Sequence, residues 1–313
     1  MTVPSISRAL AAATAALLAL GGVTACTPQG DEGSGPDGAD VVVAFYPLQF
    51  LVERVGGDAV RTVNLARPGA EPHDLELRPR QVGQIVDAKL IVYLGGFQPA
   101  VDEAVAQNGG DRAFDVATVQ PLLDAGAGGH QHEGEAGHES ETGGKDPHVW
   151  LDPTRLAAIG DQLAERLGRI APDRAAEFTA RATGLRDELT KLDTDYTQGL
   201  RTCQRREIVT SHTAFGYLAA RYQLEQVGIT GLSPEGEPSP KRLAEVAREA
   251  RDHQATTVFF ETMVSPKVAE TVAREVGAKT AVLDPIEGAP ADGDYLSVMR
   301  TNLQTLRTAL DCS

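Results

Sequence analysis

Three histidines sit in similar local settings, and together they suggest metal chemistry. His73 lies in a Pro- and Gly-rich turn (RPGAEPHDLEL), His148 just ahead of a helix start (DPHVWLDP), and His212 directly after an apolar run (EIVTS). Neutral imidazole nitrogen is a good donor to zinc, and three such donors leave one tetrahedral position for a carboxylate or a water. Asp284, which ends the run TAVL and precedes Pro285, is the candidate carboxylate; its ordinary alternative is a turn or helix-cap aspartate. A single imidazole of this kind is more often a hydrogen-bonded structural residue, so the set of three carries the signal.

The remaining candidates are weaker. His130, His132 and His138 fall in the stretch 124–146 (DAGAGGHQHEGEAGHESETGGKD), which has no apolar residue beyond alanine and reads as a mobile loop. These three form either a low-affinity auxiliary metal-gathering set or part of a solvated insertion. Glu261, at the end of TTVFFE, reads either as a group orienting a metal ligand or as a solvated strand end. His253, following Asp252 at a helix end, reads as structural or exposed. Three histidines around zinc also describe hydrolases, where an open fourth position activates water. Against catalysis, the chain has no HExxH pairing and no phosphate-cradling loop, and Ser211-His212 lacks a Gly-x-Ser-x-Gly setting.

The elements that must position these side chains follow from apolar periodicity. Strands are expected at 40–45 (DVVVAF), 60–65 and 89–94 (KLIVYL), with helices to about Val55 and over 78–88. After the loop, Asp152 and Pro153 supply an N-cap and a first helical residue for a helix to about Ile170. A long charged helix is then expected over 172–200, with Leu185, Leu189 and Leu192 as its apolar stripe. Alternation resumes with strands at 207–211, 225–230, 256–260 and 280–283. The helices between and after them are expected at 215–222, 241–251, 267–276 and 295–310, and Ser239-Pro240 and Ser265-Pro266 mark two of the starts. The fold class is therefore α/β: two halves, each with a parallel sheet covered on both faces, joined by one long helix. Ligands of such sheets bind beyond the carboxyl ends of the strands, so His73, His148 and His212 are expected to converge in one crevice there.

Composition and the N-terminus bear on the compartment. Acidic residues outnumber basic ones 44 to 29, for a net charge of −15, which disfavours nucleic acid as a partner. Arg8 followed by the apolar run Ala9–Leu20 reads as a signal peptide over 1–25, too short to span a bilayer. Val23-Thr24-Ala25-Cys26 resembles a bacterial lipobox, which implies cleavage before Cys26 and a lipid on its thiol. Residues 26–39, polar and rich in Gly and Pro, then read as a tether. In an oxidising compartment Cys203 and Cys312 remain as a pair. A disulfide between them is expected, with two separate buried thiols as the alternative.

The segments GAEPHDLELRP, DPHVWLDP, SHTAFGYL and AVLDPIEG, in this order, resemble the substrate-binding proteins of zinc and manganese ABC importers over about 40–312. The resemblance implies two α/β lobes, here 40–171 and 202–313, a linking helix over 172–201 and one divalent metal in the cleft between lobes. Carried over position by position, it implies His73 and His148 as ligands from the first lobe, and His212 and Asp284 from the second. Histidine rather than glutamate at the third position resembles the zinc branch, in keeping with the softer donor set. The implied role is extracytoplasmic capture of Zn2+ and its delivery to a membrane permease by a monomer anchored through lipidated Cys26. A zinc hydrolase, or a manganese-binding or adhesin-type member of the same fold, are the alternatives.

Overall fold

A computed structural model describes residues 38–126 and 144–313. The signal peptide, Cys26, the tether up to residue 37, and His130, His132 and His138 lie outside the described residues.

The first sheet takes β1 (Ala39–Val43), β2 (Val60–Asn64), β3 (Leu90–Tyr93) and β4 (Ala113–Asp115) in the order β2-β1-β3-β4, all parallel. Val41–Val43 and Leu90–Val92 are buried as continuous apolar runs, because helices cover both faces of a parallel sheet. Those helices include α1 (Tyr46–Gly56), α2 (Pro79–Asp87) and α3 (Pro99–Asn108). Neither α3 nor β4 leaves a clear periodicity in the sequence. β4 is only three residues long, too short for an alternation to register, and α3 carries just three buried side chains: Val101, Ala104 and Val105.

As expected, α4 (Pro153–Ile170) starts on Asp152, whose carboxylate accepts from the Thr154 amide at 2.8 Å. A 3-10 turn at Pro172–Arg174 then leads into α5 (Ala175–Gly199), so the expected 172–200 helix loses its first three residues to a tighter turn. Along α5, Phe178, Ala182, Leu185, Leu189, Leu192 and Tyr196 form one buried stripe. This stripe packs on α1 and α4 and, at its far end, on the last helix of the chain. There the Tyr196 hydroxyl donates to the Met299 carbonyl at 2.7 Å.

The second sheet repeats the first: β5 (Glu207–Thr210), β6 (Glu225–Gly228), β7 (Thr257–Phe260) and β8 (Lys279–Val282), parallel, in the order β6-β5-β7-β8. Around it lie α6 (Gly216–Tyr222), α7 (Pro240–Asp252), α8 (Lys267–Val276) and α9 (Tyr295–Leu310). Ser239 caps α7 through the Arg242 amide as its sequence suggests, whereas α8 is capped by Pro266 itself with no side-chain bond.

One apolar core runs from Val41 in the first lobe to Leu306 in the second, and a smaller one, with Val209 and Val258, lies behind the second sheet. A shared core of this kind resists a wide hinge, because opening it would expose close-packed apolar surface. Cys203 and Cys312 are bridged, with Cα atoms 3.9 Å apart, pinning the end of α9 to the segment that enters β5.

Candidate metal centre

Each histidine leaves the carboxyl end of a strand or the return from one. The turn after β2 delivers His73. Its amide donates to Glu71 Oε1 at 2.9 Å, and the buried Gln98 donates to the Pro72 carbonyl at 2.9 Å, which fixes the turn. The Phe97 ring meets the His73 ring edge-on at 4.6 Å. The return from β4 brings His148 to the start of the 3-10 turn Val149–Leu151, where it is 0% exposed. Asp146 Oδ1 accepts from the His148 amide at 2.9 Å and lies 2.8 Å from Nδ1. An ionised carboxylate can only accept, so Nδ1 carries the proton and Nε2 is directed to the cleft as a donor atom. His212 follows β5 and is arranged the same way, with Glu261 Oε1 at 2.8 Å from its Nδ1 and the Ser211 hydroxyl donating to that oxygen at 2.5 Å. Glu261 is thus buried against an imidazole rather than solvated.

The fourth group is Glu287. Its Oε1 lies 3.3 Å from His73 Nε2, 3.2 Å from His148 Nε2 and 3.3 Å from His212 Nε2, and the last two nitrogens are 3.4 Å apart. Zinc–ligand bonds of about 2.0–2.1 Å in a tetrahedron give ligand–ligand edges of about 3.3–3.4 Å. Four of the six edges of this donor set are therefore already at, or within about 0.1 Å of, tetrahedral length. Glu287 is 1% exposed, and its Oε2 makes no hydrogen bond among the described residues, an arrangement that suits a carboxylate facing a cation better than one serving structure.

Asp284, expected from the sequence as the carboxylate, is not brought to the imidazoles. Its Oδ1 accepts from the Ile286 amide at 2.7 Å and its Oδ2 from the Thr262 hydroxyl at 2.9 Å, while its main chain pairs with Asn302 in both directions. It is the turn aspartate of the alternative reading. The turn it braces holds Ile286 at φ 60°, an unfavourable backbone for a β-branched residue, and thereby points Glu287 inward. The glutamate was present in AVLDPIEG, but only the sharp turn through Pro285 and Ile286 identifies it as the inward group. His253 lies beside Glu207, the first residue of β5, with Nδ1 3.3 Å from Oε2, at the opposite end of that strand from His212.

Electrostatics follow from burial. Burial opposes charge on His212, yet its hydrogen bonds to Glu261 and Glu287 outweigh that and push it up to about 10. His148 is raised for the same reasons through Asp146 and Glu287, whereas burial dominates at His73 and lowers it. Although burial works against it, Glu287 is held well below the usual carboxylate range by the three imidazoles. Glu71, desolvated and close to Glu287, is pushed up to about 8. A cleft of about 240 Å3 is bordered by Asn64, Arg67, Ala70 and Glu287. The larger cavity, about 730 Å3 between β8 and α9, lies by Thr256, Lys279 and Gln304, none of which belongs to the donor set.

The two lobes meet at the same place. Trp150 Nε1 donates to the Pro285 carbonyl at 2.7 Å, and the Tyr295 hydroxyl donates to the Trp150 carbonyl at 2.6 Å.

Residues 41–309 match the family described as zinc-uptake complex component A, periplasmic. The chain is 36% identical over 287 residues to the zinc-binding protein AdcA of Streptococcus pyogenes serotype M3, covering 87% of this chain and 56% of that protein. It therefore spans little more than half the length of that relative. It is also 32% identical over 300 residues to the high-affinity zinc uptake system protein ZnuA of Bacillus subtilis, covering 92% and 93% of the two chains. Among solved structures, the laminin-binding protein Lmb of Streptococcus agalactiae, described as having adhesin and metal-transporting activity, superposes with a TM-score of 0.76. That pair shares 31% identity, with 87% of this chain and 100% of that one covered. By the residues matched and the shared two-lobed fold, the chain belongs to the zinc-uptake complex component A family.

Proposed function

We propose that this protein captures one zinc ion outside the cytoplasm and delivers it to the membrane permease of an ABC importer. The observation that carries the reading is the convergence of His73, His148, His212 and Glu287, whose donor atoms all lie within 4.8 Å of one another. Three imidazoles and one carboxylate suit zinc, and four protein donors close a tetrahedral site. A closed site has no position for an activated water, so storage and transfer fit better than hydrolysis. Zinc here is cargo, held by the chain's own side chains and released through the cleft beside Glu287. In this reading Cys26 carries a lipid anchor, the lobes span 40–171 and 202–313 on either side of the linking segment that holds α5, and His130, His132 and His138 form an auxiliary low-affinity set. The chain acts as a monomer without nucleic acid.

Competitive zinc titration of the soluble form tests this directly. One zinc per chain is expected, with manganese bound more weakly, and a chain that retains no zinc against a chelator would defeat the proposal. The pH response carries a second expectation. Against burial, the hydrogen bonds to Glu261 and Glu287 push His212 up to about 10, above the ordinary imidazole value of about 6.5. Its proton thus contributes stability that is fully present below about 6.5 and lost as pH rises through about 10. Zinc must displace that proton, so affinity should climb by at least about tenfold per pH unit between about 6.5 and 8.5. Equal affinities at both ends of that range would contradict the assignment of His212 as a donor.

The carboxylate behind His212 gives a further expectation. Glu261→Gln keeps the shape but removes the acceptor that fixes the Nδ1 proton, and zinc affinity should fall by about 10- to 100-fold. An unchanged affinity would return Glu261 to a purely structural role.

A further inference from the structure

Resting on the zinc reading above, we infer that Tyr217, a residue of the second lobe, positions the zinc donor His148 of the first. Tyr217 is 1% exposed on α6. Its hydroxyl donates to the Asp146 carbonyl at 2.9 Å and accepts from the Leu123 amide at 2.8 Å. Leu123 and Asp146 are themselves joined, the Asp146 amide donating to the Leu123 carbonyl at 2.9 Å. One hydroxyl therefore joins the main chain at Leu123 to the main chain at Asp146, two residues ahead of His148.

The clamp reaches the metal donor through a single residue. Asp146, whose carbonyl is held by Tyr217, uses its carboxylate to fix both the amide and Nδ1 of His148. The same short stretch of the second lobe carries His212, five residues before Tyr217. It thus supplies one zinc donor and sets the place of another, whose Nε2 atoms stand 3.4 Å apart. Packing alone does not call for the hydroxyl: the ring is buried with the Arg155 guanidinium 5.0 Å from its centre, and phenylalanine would fill the same volume. The hydroxyl is needed by two main-chain groups, the Leu123 amide and the Asp146 carbonyl, that would otherwise lack that partner.

Tyr217→Phe tests the inference on the soluble chain loaded with zinc or with cobalt(II), whose visible bands report the donor geometry. The zinc dissociation rate under chelator challenge should rise by about tenfold, the size of effect seen when outer partners of a ligand are lost. The cobalt bands should shift as well. In the double variant with Asp146→Asn, the two effects should be less than additive, because both act on His148. Dissociation and cobalt bands unchanged from wild type would overturn the inference, even if the melting temperature dropped. Wild-type protein that retains neither metal would instead defeat the zinc reading and this inference with it. Should Tyr217→Phe fail to fold, exchange of the Leu123 amide in the wild type serves in its place. Zinc should slow that exchange by about tenfold, and an unchanged rate would overturn the coupling.

Discussion

Replacing Glu287 with glutamine should lower zinc affinity by about a hundredfold or more, whereas Asp284→Asn should change it by less than about fivefold. Loss of an outer partner of a metal ligand costs about 10- to 100-fold, and a direct anionic donor should cost at least the upper end of that range. Glu287 Oε1 is within 3.3 Å of all three imidazole Nε2 atoms, whereas Glu71 Oε1 stands back at 4.0 Å from His73 Nε2. Asp284 spends its oxygens on Ile286 and Thr262, and an asparagine can accept the first bond while the threonine hydroxyl turns to accept the second. Its main effect should be on stability, by about 1 kcal/mol. Competition titration of both variants side by side is the measurement. The reverse order of losses would return Asp284 to the donor set and remove the argument from tetrahedral edges.

Removing the disulfide should cost stability without touching zinc. Cys203 and Cys312 are separated by 109 residues, and closing a loop of about 100 residues is worth up to about 4.7 kcal/mol through the entropy it removes from the unfolded chain. Native bridges of this kind cost about 2–5 kcal/mol when deleted, so the Cys203→Ser, Cys312→Ser variant should lose about 3–5 kcal/mol in denaturant unfolding. The bridge lies where the chain enters β5, while His212 leaves its other end, and the two are linked by a strand buried along its whole length. Zinc affinity should therefore stay within about twofold of wild type, in line with sites that share no partners. A loss below about 1 kcal/mol would mean that the paired main chain, including the Ser313 amide donating to the Thr202 carbonyl, already holds the C-terminus in place.

The importance of Glu287 shows where reading from sequence stops. Its glutamate sits in plain view in AVLDPIEG, and the strand-end rule favours Asp284 because that residue directly follows the apolar run. Which of two nearby carboxylates turns inward is set by Ile286 at φ 60° and by the hydrogen bonds of Asp284, and neither leaves a periodic trace in the sequence. The partners of His148 and His212 differ in the same respect. Asp146 is two residues from His148 and is visible as a neighbour, whereas Glu261 reaches His212 across 49 residues only because β5 and β7 are adjacent in the sheet.

Local chemistry alone determined a good deal: the α/β alternation, the long helix with its leucine stripe, the Asp152 cap and three histidines in turns that leave a strand or enter a helix. Each rests on interactions between residues close in the chain, or on a burial pattern that repeats along it. Tertiary structure decided the rest: which carboxylate meets the three imidazoles, how 3.2–3.4 Å spacings arise between groups more than 60 residues apart, and which lobe braces which histidine. Those outcomes depend on strand order and on hydrogen bonds across the cleft, interactions between distant segments that exist only once both sheets and α5 have packed together.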